Sequence, residues 1–284
     1  MKTFNFFLLF LILASVTLFA QTDDAWFQVS KIAENVWRLD DHKAANIYLV
    51  AGTDSALIID TGVGAADLVA AVRKLTDKPL IVVNTHGHPD HCGANYQFEK
   101  AYVHVTDSAA ARMFCKPEFR AQVSASMLGG AKPDSADLYT GQIFYTQLLP
   151  VNEGRVFNLG GIRLEVMETP GHTPGGICLL DRANKRLFSG DNNNILVWLF
   201  LKGCLPLSKY LVTLEKQQAR LAEFDVLFPG HGPEIPGDFI LDQIACVKSI
   251  LDGTCESEVY KSFAGDGQIC KHGRASVAFS PDNL

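Results

Sequence analysis

Apolar residues fall in short runs, and the same order of runs occurs twice. Ile47, Tyr48, Leu49 and Val50, five turn-like residues, then Ala56, Leu57, Ile58 and Ile59 read as strand, turn and strand, with Asp60 at the strand end. Positions 177–180, a turn at 181–185 and positions 186–190 repeat this pattern, with Asp191 at the strand end. A helical pattern follows each pair of strands, over 65–74 in the first half and 208–224 in the second. In the second, Leu211, Leu214, Leu221 and Phe224 share a face. Each helix leads into an apolar strand that ends in histidine: 80–85 before His86, and 226–230 before His231. The chain thus divides into two β-β-α-β halves, each delivering an Asp and a His at strand ends. Continuous apolar runs such as 80–83 require burial on both faces, so an α/β architecture of two packed sheets with helices outside is expected.

Two segments stand outside the repeat. Positions 107–151 read as helix with a loop at Gly129-Gly130. Positions 192–207 contain the apolar run 195–201, which suits a greasy pocket wall or a buried strand or helix. The tail after Gly237 offers a helix over 238–251 and an edge strand over 275–279. No long linker interrupts the chain, so residues 21–284 form one expected domain. Residues 1–20 read differently: Lys2 precedes an apolar run over 6–20, and then comes the polar Gln21-Thr22-Asp23-Asp24. That order describes a signal peptide cut near Ala20 and an exported, periplasmic or extracellular protein with no stable membrane anchor after cleavage.

Charge narrows the partners. The 31 acidic side chains outnumber the 25 basic ones, for a net charge of −6, and loss of Lys2 with the leader adds one more negative unit. No basic run or stripe appears, so no nucleic-acid partner is expected and a polyphosphate is not invited; a small-molecule substrate is. Seven cysteines, an odd number, leave at least one free unless chains pair.

The chemistry concentrates in His86-Gly87-His88-Pro89-Asp90-His91. Four ligand-type side chains in six residues at a strand end would be costly to desolvate together, and a metal ion removes that cost. Gly87 and Pro89 allow a tight turn that presents 86 and 88 to one ion and 90 and 91 to a neighbour. His172 lies in Thr169-Pro170-Gly171-His172-Thr173-Pro174-Gly175-Gly176, Asp191 follows Ser189-Gly190, and His231 sits in Pro229-Gly230-His231-Gly232-Pro233. Alone, His172 reads as an ordinary loop histidine and Asp191 as a turn residue or helix cap; together with His231, in this order and at strand ends, they read as a ligand set. His42, His104 and His272 remain for surface or packing roles, and Cys92 for a small buried hydrophobe.

This set of motifs resembles the metallo-β-lactamase superfamily over nearly the whole chain after residue 20. The resemblance implies a four-layer αβ/βα sandwich and two divalent ions, zinc foremost, with iron or manganese as alternatives. One ion would be held by His86, His88 and His172 and the other by Asp90, His91 and His231, with Asp191 bridging and Asp60 orienting a ligand from behind. The best-known zinc β-lactamases carry Arg where His91 stands and Cys where Asp191 stands, so the chain lies nearer the glyoxalase II and lactonase branches. A water shared by two such ions ionises near neutral pH. The expected activity is attack of that hydroxide on a carboxyl-derived bond (lactam, lactone, ester or thioester), with Asp90 and Asp191 as the catalytic carboxylates. Phosphodiester or sulfate ester hydrolysis and iron-dependent oxygenation are the alternatives on the same fold.

Overall fold

A computed structural model describes residues 21–23 and 26–284, so the signal-peptide expectation for residues 1–20 lies outside the described residues. The first half contains β1 (Gln21–Asp23), β2 (Gln28–Ala33), β3 (Val36–Asp40), β4 (Asn46–Ala51), β5 (Ala56–Ile59), α1 (Leu68–Arg73), β6 (Leu80–Val83), α2 (Pro89–Cys92), β7 (Lys100–Val103), α3 (Ser108–Phe114), α4 (Pro117–Met127) and β8 (Gln147–Pro150). Its eight strands form one sheet in sequence order. The second half contains β9 (Val156–Asn158), β10 (Arg163–Glu168), β11 (Ile177–Asp181), β12 (Arg186–Gly190), β13 (Leu196–Leu199), α5 (Leu207–Gln218), β14 (Val226–Pro229) and β15 (Ile235–Pro236). Six of these strands form the second sheet, in the order β15-β14-β12-β11-β10-β9. The internal repeat is real in space: β4 and β5 pair antiparallel and β5 and β6 parallel, as do β11 and β12, then β12 and β14.

Strand periodicity explains the layering. In β5, Leu57 and Ile59 face one way and pack with Leu179, Phe188 and Phe228 between the two sheets; Ile58 faces the other way, onto Leu68 and Val72 of α1. In β11, Leu179 joins the inter-sheet core while Cys178 and Leu180 face Tyr210 and Leu214 of α5 and Phe239. Alternate side chains thus bury both faces of each sheet, which is the four-layer αβ/βα sandwich.

The helices are shorter than their patterns. The first starts at Leu68 because Asp67 caps it, its Oδ1 accepting the Ala70 N–H at 2.8 Å. The second ends at Gln218; Leu221–Glu223 is a 3-10 turn, and Phe224 reaches the core from beyond it.

The tail corrects the sequence reading more deeply. After α6 (Phe239–Leu251) come β16 (Glu258–Ser262), β17 (Gly265–His272) and β18 (Ala275–Phe279). The last is no edge: it pairs parallel with β13 and antiparallel with β17 inside a third, four-stranded sheet. The apolar run at 195–201 serves two purposes through the same alternation. Val197 and Leu199 enter the core, while Leu196 and Trp198 face a cleft. Cys255 and Cys270 form a disulfide, and Cys92, Cys115, Cys178, Cys204 and Cys246 are free. No helix among the described residues is long and apolar enough to cross a membrane.

Candidate metal centre

All seven residues singled out from the sequence meet where the ends of the two sheets converge. His86, His88 and His172 offer three nitrogens within 4.8 Å of one another, as do the donor atoms of Asp90, His91 and His231, and those of His86, His91 and Asp191. The contacts within the cluster are close: His172 Nε2 lies 2.8 Å from His88 Nδ1, and His231 Nε2 lies 3.3 Å from Asp90 Oδ2. Asp191 sits between the groups. Its Oδ1 is 3.3 Å from His91 Nε2, and its Oδ2 is 3.2 Å from His231 Nε2 and 3.5 Å from His172 Nε2. Asp90 also approaches His91, with Oδ2 3.4 Å from Nε2.

The backs of three rings are fixed by the protein. Asp60 accepts the Thr85 N–H at 2.7 Å, the Thr85 O–H at 2.8 Å and the His91 Nδ1–H at 2.8 Å, which leaves His91 Nε2 turned to the centre. Burial pushes the Asp60 carboxyl above its usual range, and contacts with His91 and Thr85 oppose that push. His172 Nδ1 donates to the Trp198 carbonyl at 2.7 Å, and His86 Nδ1 meets Thr85 Oγ1 at 3.0 Å. Such bonds select the tautomer whose other nitrogen is a lone-pair donor.

Electrostatics divide the rings. Burial holds His86 well below its usual range, helped by His91 and His88; burial and then His172 bring His88 down to about 3. Burial works against charge on His231 too, but Asp191 and Asp90 overcome it and raise the ring to about 10. Asp90 and Asp191 stay well below the carboxylate range despite burial, held there by the His91 and His231 rings.

The donor set fits divalent metal. His86 Nε2, His91 Nε2 and Asp191 Oδ1 are buried without a hydrogen-bond partner, an arrangement that native interiors avoid unless another group satisfies them. All three are among the donor atoms that converge on the centre. Imidazole nitrogens and carboxylate oxygens in this proportion suit zinc, and also iron or manganese. The residues that would hold metal fall into two groups, with Asp191 between them.

Several supports were not evident in the sequence. Asp107, in the segment that stands outside the repeat, is buried and accepts the N–H groups of Gly87 at 2.9 Å and Gly175 at 2.8 Å. Asn192 Oδ1 accepts the His172 N–H at 3.1 Å, and Asn194 Oδ1 accepts the His231 N–H at 3.1 Å. Asn46 Nδ2 donates to the carbonyls of Pro229 at 3.0 Å and Gly232 at 2.8 Å, fixing the His231 loop from the first half. Gly230 is required by contact, since a Cβ there would run into Asp191 Oδ1. Cys92 is buried, donates to the His88 carbonyl at 3.0 Å and has its thiol pushed well up by burial, as suits a packing residue. His42 is exposed and lies against Trp26, His104 meets Glu168 at 3.4 Å, and His272 is exposed; none of the three takes part in the centre.

One side of the centre is open. His88, Asp191 and His231 border a cleft of about 500 Å³ whose walls include Met127, Ile195, Leu196, Trp198, Leu201 and Phe263. The third sheet shapes it, because Trp198 Nε1 donates to Tyr260 Oη at 3.0 Å and Phe263 lies at the β16–β17 turn.

Residues 41–231 match the metallo-beta-lactamase superfamily. The chain belongs to that family. It is a metal-dependent hydrolase by kinship: it is 30% identical over 233 residues to the acyl-coenzyme A thioesterase MBLAC2 of Bos taurus, across 72% of this chain and 81% of that protein. It is also 29% identical over 138 residues to hydroxyacylglutathione hydrolase GloC of Haemophilus influenzae, across 48% of this chain and 60% of that one. Among solved structures, a metallo-beta-lactamase from Pontibacter korlensis superposes with a TM-score of 0.57 at 19% identity, over 78% of this chain and 99% of its own. That likeness speaks for the fold.

Replacing Asp60 with asparagine tests the backing of His91. Asp60 offers two acceptor oxygens to three donors, and an amide nitrogen in place of one oxygen would face a donor. Metal affinity, measured by chelator competition, should fall about 10- to 100-fold with the fold retained. Unchanged affinity would show that Thr85 and packing hold His91 without Asp60.

Proposed function

We propose that the protein is an exported thioester hydrolase in which His86, His88, Asp90, His91, His172, Asp191 and His231 hold two divalent ions. The observation that carries the reading is the placement of Asp191 between the two histidine groups, at the floor of a cleft with apolar walls. Two ions held there would supply a hydroxide nucleophile at neutral pH and polarise the carbonyl to be attacked. The chain's own residues do the rest. Asp90, 3.3 Å from His231 and 3.4 Å from His91, stays ionised and can orient the attacking oxygen and take its proton. Asp60, Trp198 and Thr85 keep the rings in place, so little reorganisation accompanies reaction. Trp198, Leu196, Leu201 and Phe263 exclude water from one side and suit an acyl group.

Among carboxyl-derived bonds, the thioester is favoured by the two named relatives, an acyl-coenzyme A thioesterase and a hydroxyacylglutathione hydrolase. Export is supported by Lys2, the apolar run over 6–20 and the polar junction at Gln21. The test is a turnover screen of zinc-loaded protein against thioesters, lactones, a lactam, a phosphodiester and a sulfate ester. Thiol release should give the highest kcat/KM, fall to background after chelation and return with zinc. Turnover of the phosphodiester or sulfate ester without thiol release would replace this reading.

A further inference from the structure

The segment over 105–150 builds most of a second cleft, of about 260 Å³, which shares no lining residue with the cleft at the metal centre. Arg112 in the last turn of α3, Lys116 between the helices and Arg120 at the start of α4 line it, with Tyr96, Cys115 and Tyr145. Spacings of four residues at a helix junction bring three cations to one mouth, although no basic run marks the sequence. Among the described residues none of the three is in an ion pair, in a chain of net charge −6 whose other arginines and lysines repeatedly meet carboxylates. Arg120 Nε is buried without a hydrogen-bond partner, and its guanidinium lies 3.6 Å from the centroid of Tyr96. Arg112 lies 5.1 Å from the centroid of Tyr145. Beside these cations, Tyr145 is 85% and Ile143 68% exposed, so an aromatic and an aliphatic surface stand open at the rim. Unpaired guanidinium groups recognise phosphate oxygens, and an open tyrosine offers a stacking face to a flat ring.

We infer that this cleft binds the phosphate-bearing end of a nucleotide-type ligand, with its phosphates on Arg112, Lys116 and Arg120 and its ring against Tyr145. Two sources share that chemistry. One is the nucleotide end of a coenzyme A thioester whose acyl end lies in the metal cleft, which rests on the thioesterase reading; the other is a separate nucleotide. The first is geometrically open, since α4 runs from Arg120 at this cleft to Met127 at the other, a rise of about 10 Å at ~1.5 Å per residue.

Calorimetric titration of the full zinc-loaded chain with adenosine 3′,5′-bisphosphate tests the site directly. Arg112 and Lys116 are exposed, so the double variant Arg112→Ala/Lys116→Ala should keep the wild-type melting temperature. Wild type should bind, the variant should bind at least tenfold more weakly, and the difference should shrink as salt rises. Adenosine without phosphate should bind neither. No binding by wild type, equal binding by the variant, or equal binding of adenosine would overturn the assignment. Kinetics then separate the sources. A raised KM for a coenzyme A thioester in the variant, with the thioester of the truncated thiol N-acetylcysteamine unaffected, identifies the substrate's own nucleotide. Bisphosphate binding with no such KM change identifies a separate ligand. If neither thioester is cleaved, the thioesterase reading fails, and the calorimetry still decides the cleft.

Discussion

Replacing Asp191 with alanine should lower hydrolytic turnover by at least about a thousandfold, because the variant loses a positioned nucleophile and does not merely weaken substrate binding. Asp191 is the side chain that approaches His91 and His231 on one side and His172 on the other, at 3.2–3.5 Å. Without it, the two groups of ligands keep their own donors but lose the carboxylate between them. The fold should survive: Asp191 follows β12 in a short 3-10 turn, and the neighbouring Asn192 and Asn193 keep their own bonds to Thr169, Gln217 and Gln243. Circular dichroism checks the fold, metal titration checks occupancy, and thiol release reports turnover. Asparagine at 191 restores the size but not the charge and should recover little. An alanine variant with both sites filled and near wild-type turnover would remove the dinuclear mechanism from consideration.

The candidate ligands are readable because their chemistry is local or repeated. Four lie within six residues, Asp191 and His231 sit at matching strand ends in a duplicated pattern that burial on both sheet faces makes periodic, and His172 stands in a loop punctuated by proline and glycine just before a strand. The supports were not readable for a physical reason. Asp107 acts on the backbone of Gly87 and Gly175, 20 and 68 positions away, and a backbone donor leaves no mark of residue type. Asn46, Asn192 and Asn194 likewise act through main-chain partners. The third sheet escaped for a different cause. In β16 every side chain is exposed or half-buried, and β17 carries Gly265 and Gly267, so neither shows the apolar alternation that reveals a strand. With β16 and β17 unseen, the one legible strand, β18, had no partner on that side and read as an edge.

Asp107 therefore carries the second large prediction. Asp107 is 4% exposed, and its carboxylate links two loops: Gly87 lies between His86 and His88, and Gly175 lies three residues after His172. One side chain thus ties together the three histidines of one group. The approach is tight, since a Cβ on Gly87 would meet the Asp107 carbonyl at 2.7 Å and one on Gly175 would strike the Asp107 side chain. Asp107→Ala strands both N–H groups, at about 1–3 kcal/mol for each buried donor left unsatisfied, so the melting temperature should fall measurably. The more telling effect is on metal. Loosening the two loops should weaken the ion held by His86, His88 and His172 by about 10- to 100-fold, while the ion held by Asp90, His91 and His231 keeps nearly its wild-type affinity. Asp107→Asn retains one acceptor oxygen and should fall between wild type and alanine on both measures. Titration with cobalt(II), followed by its visible absorption, resolves the two events: wild type should fill both sites tightly, and the alanine variant should fill one tightly and one weakly. A variant that melts lower yet fills both sites as wild type does would reduce Asp107 to a packing role. Equal weakening of both ions would mean that the two groups of ligands respond as one rigid unit, with no separate hold on the His172 loop.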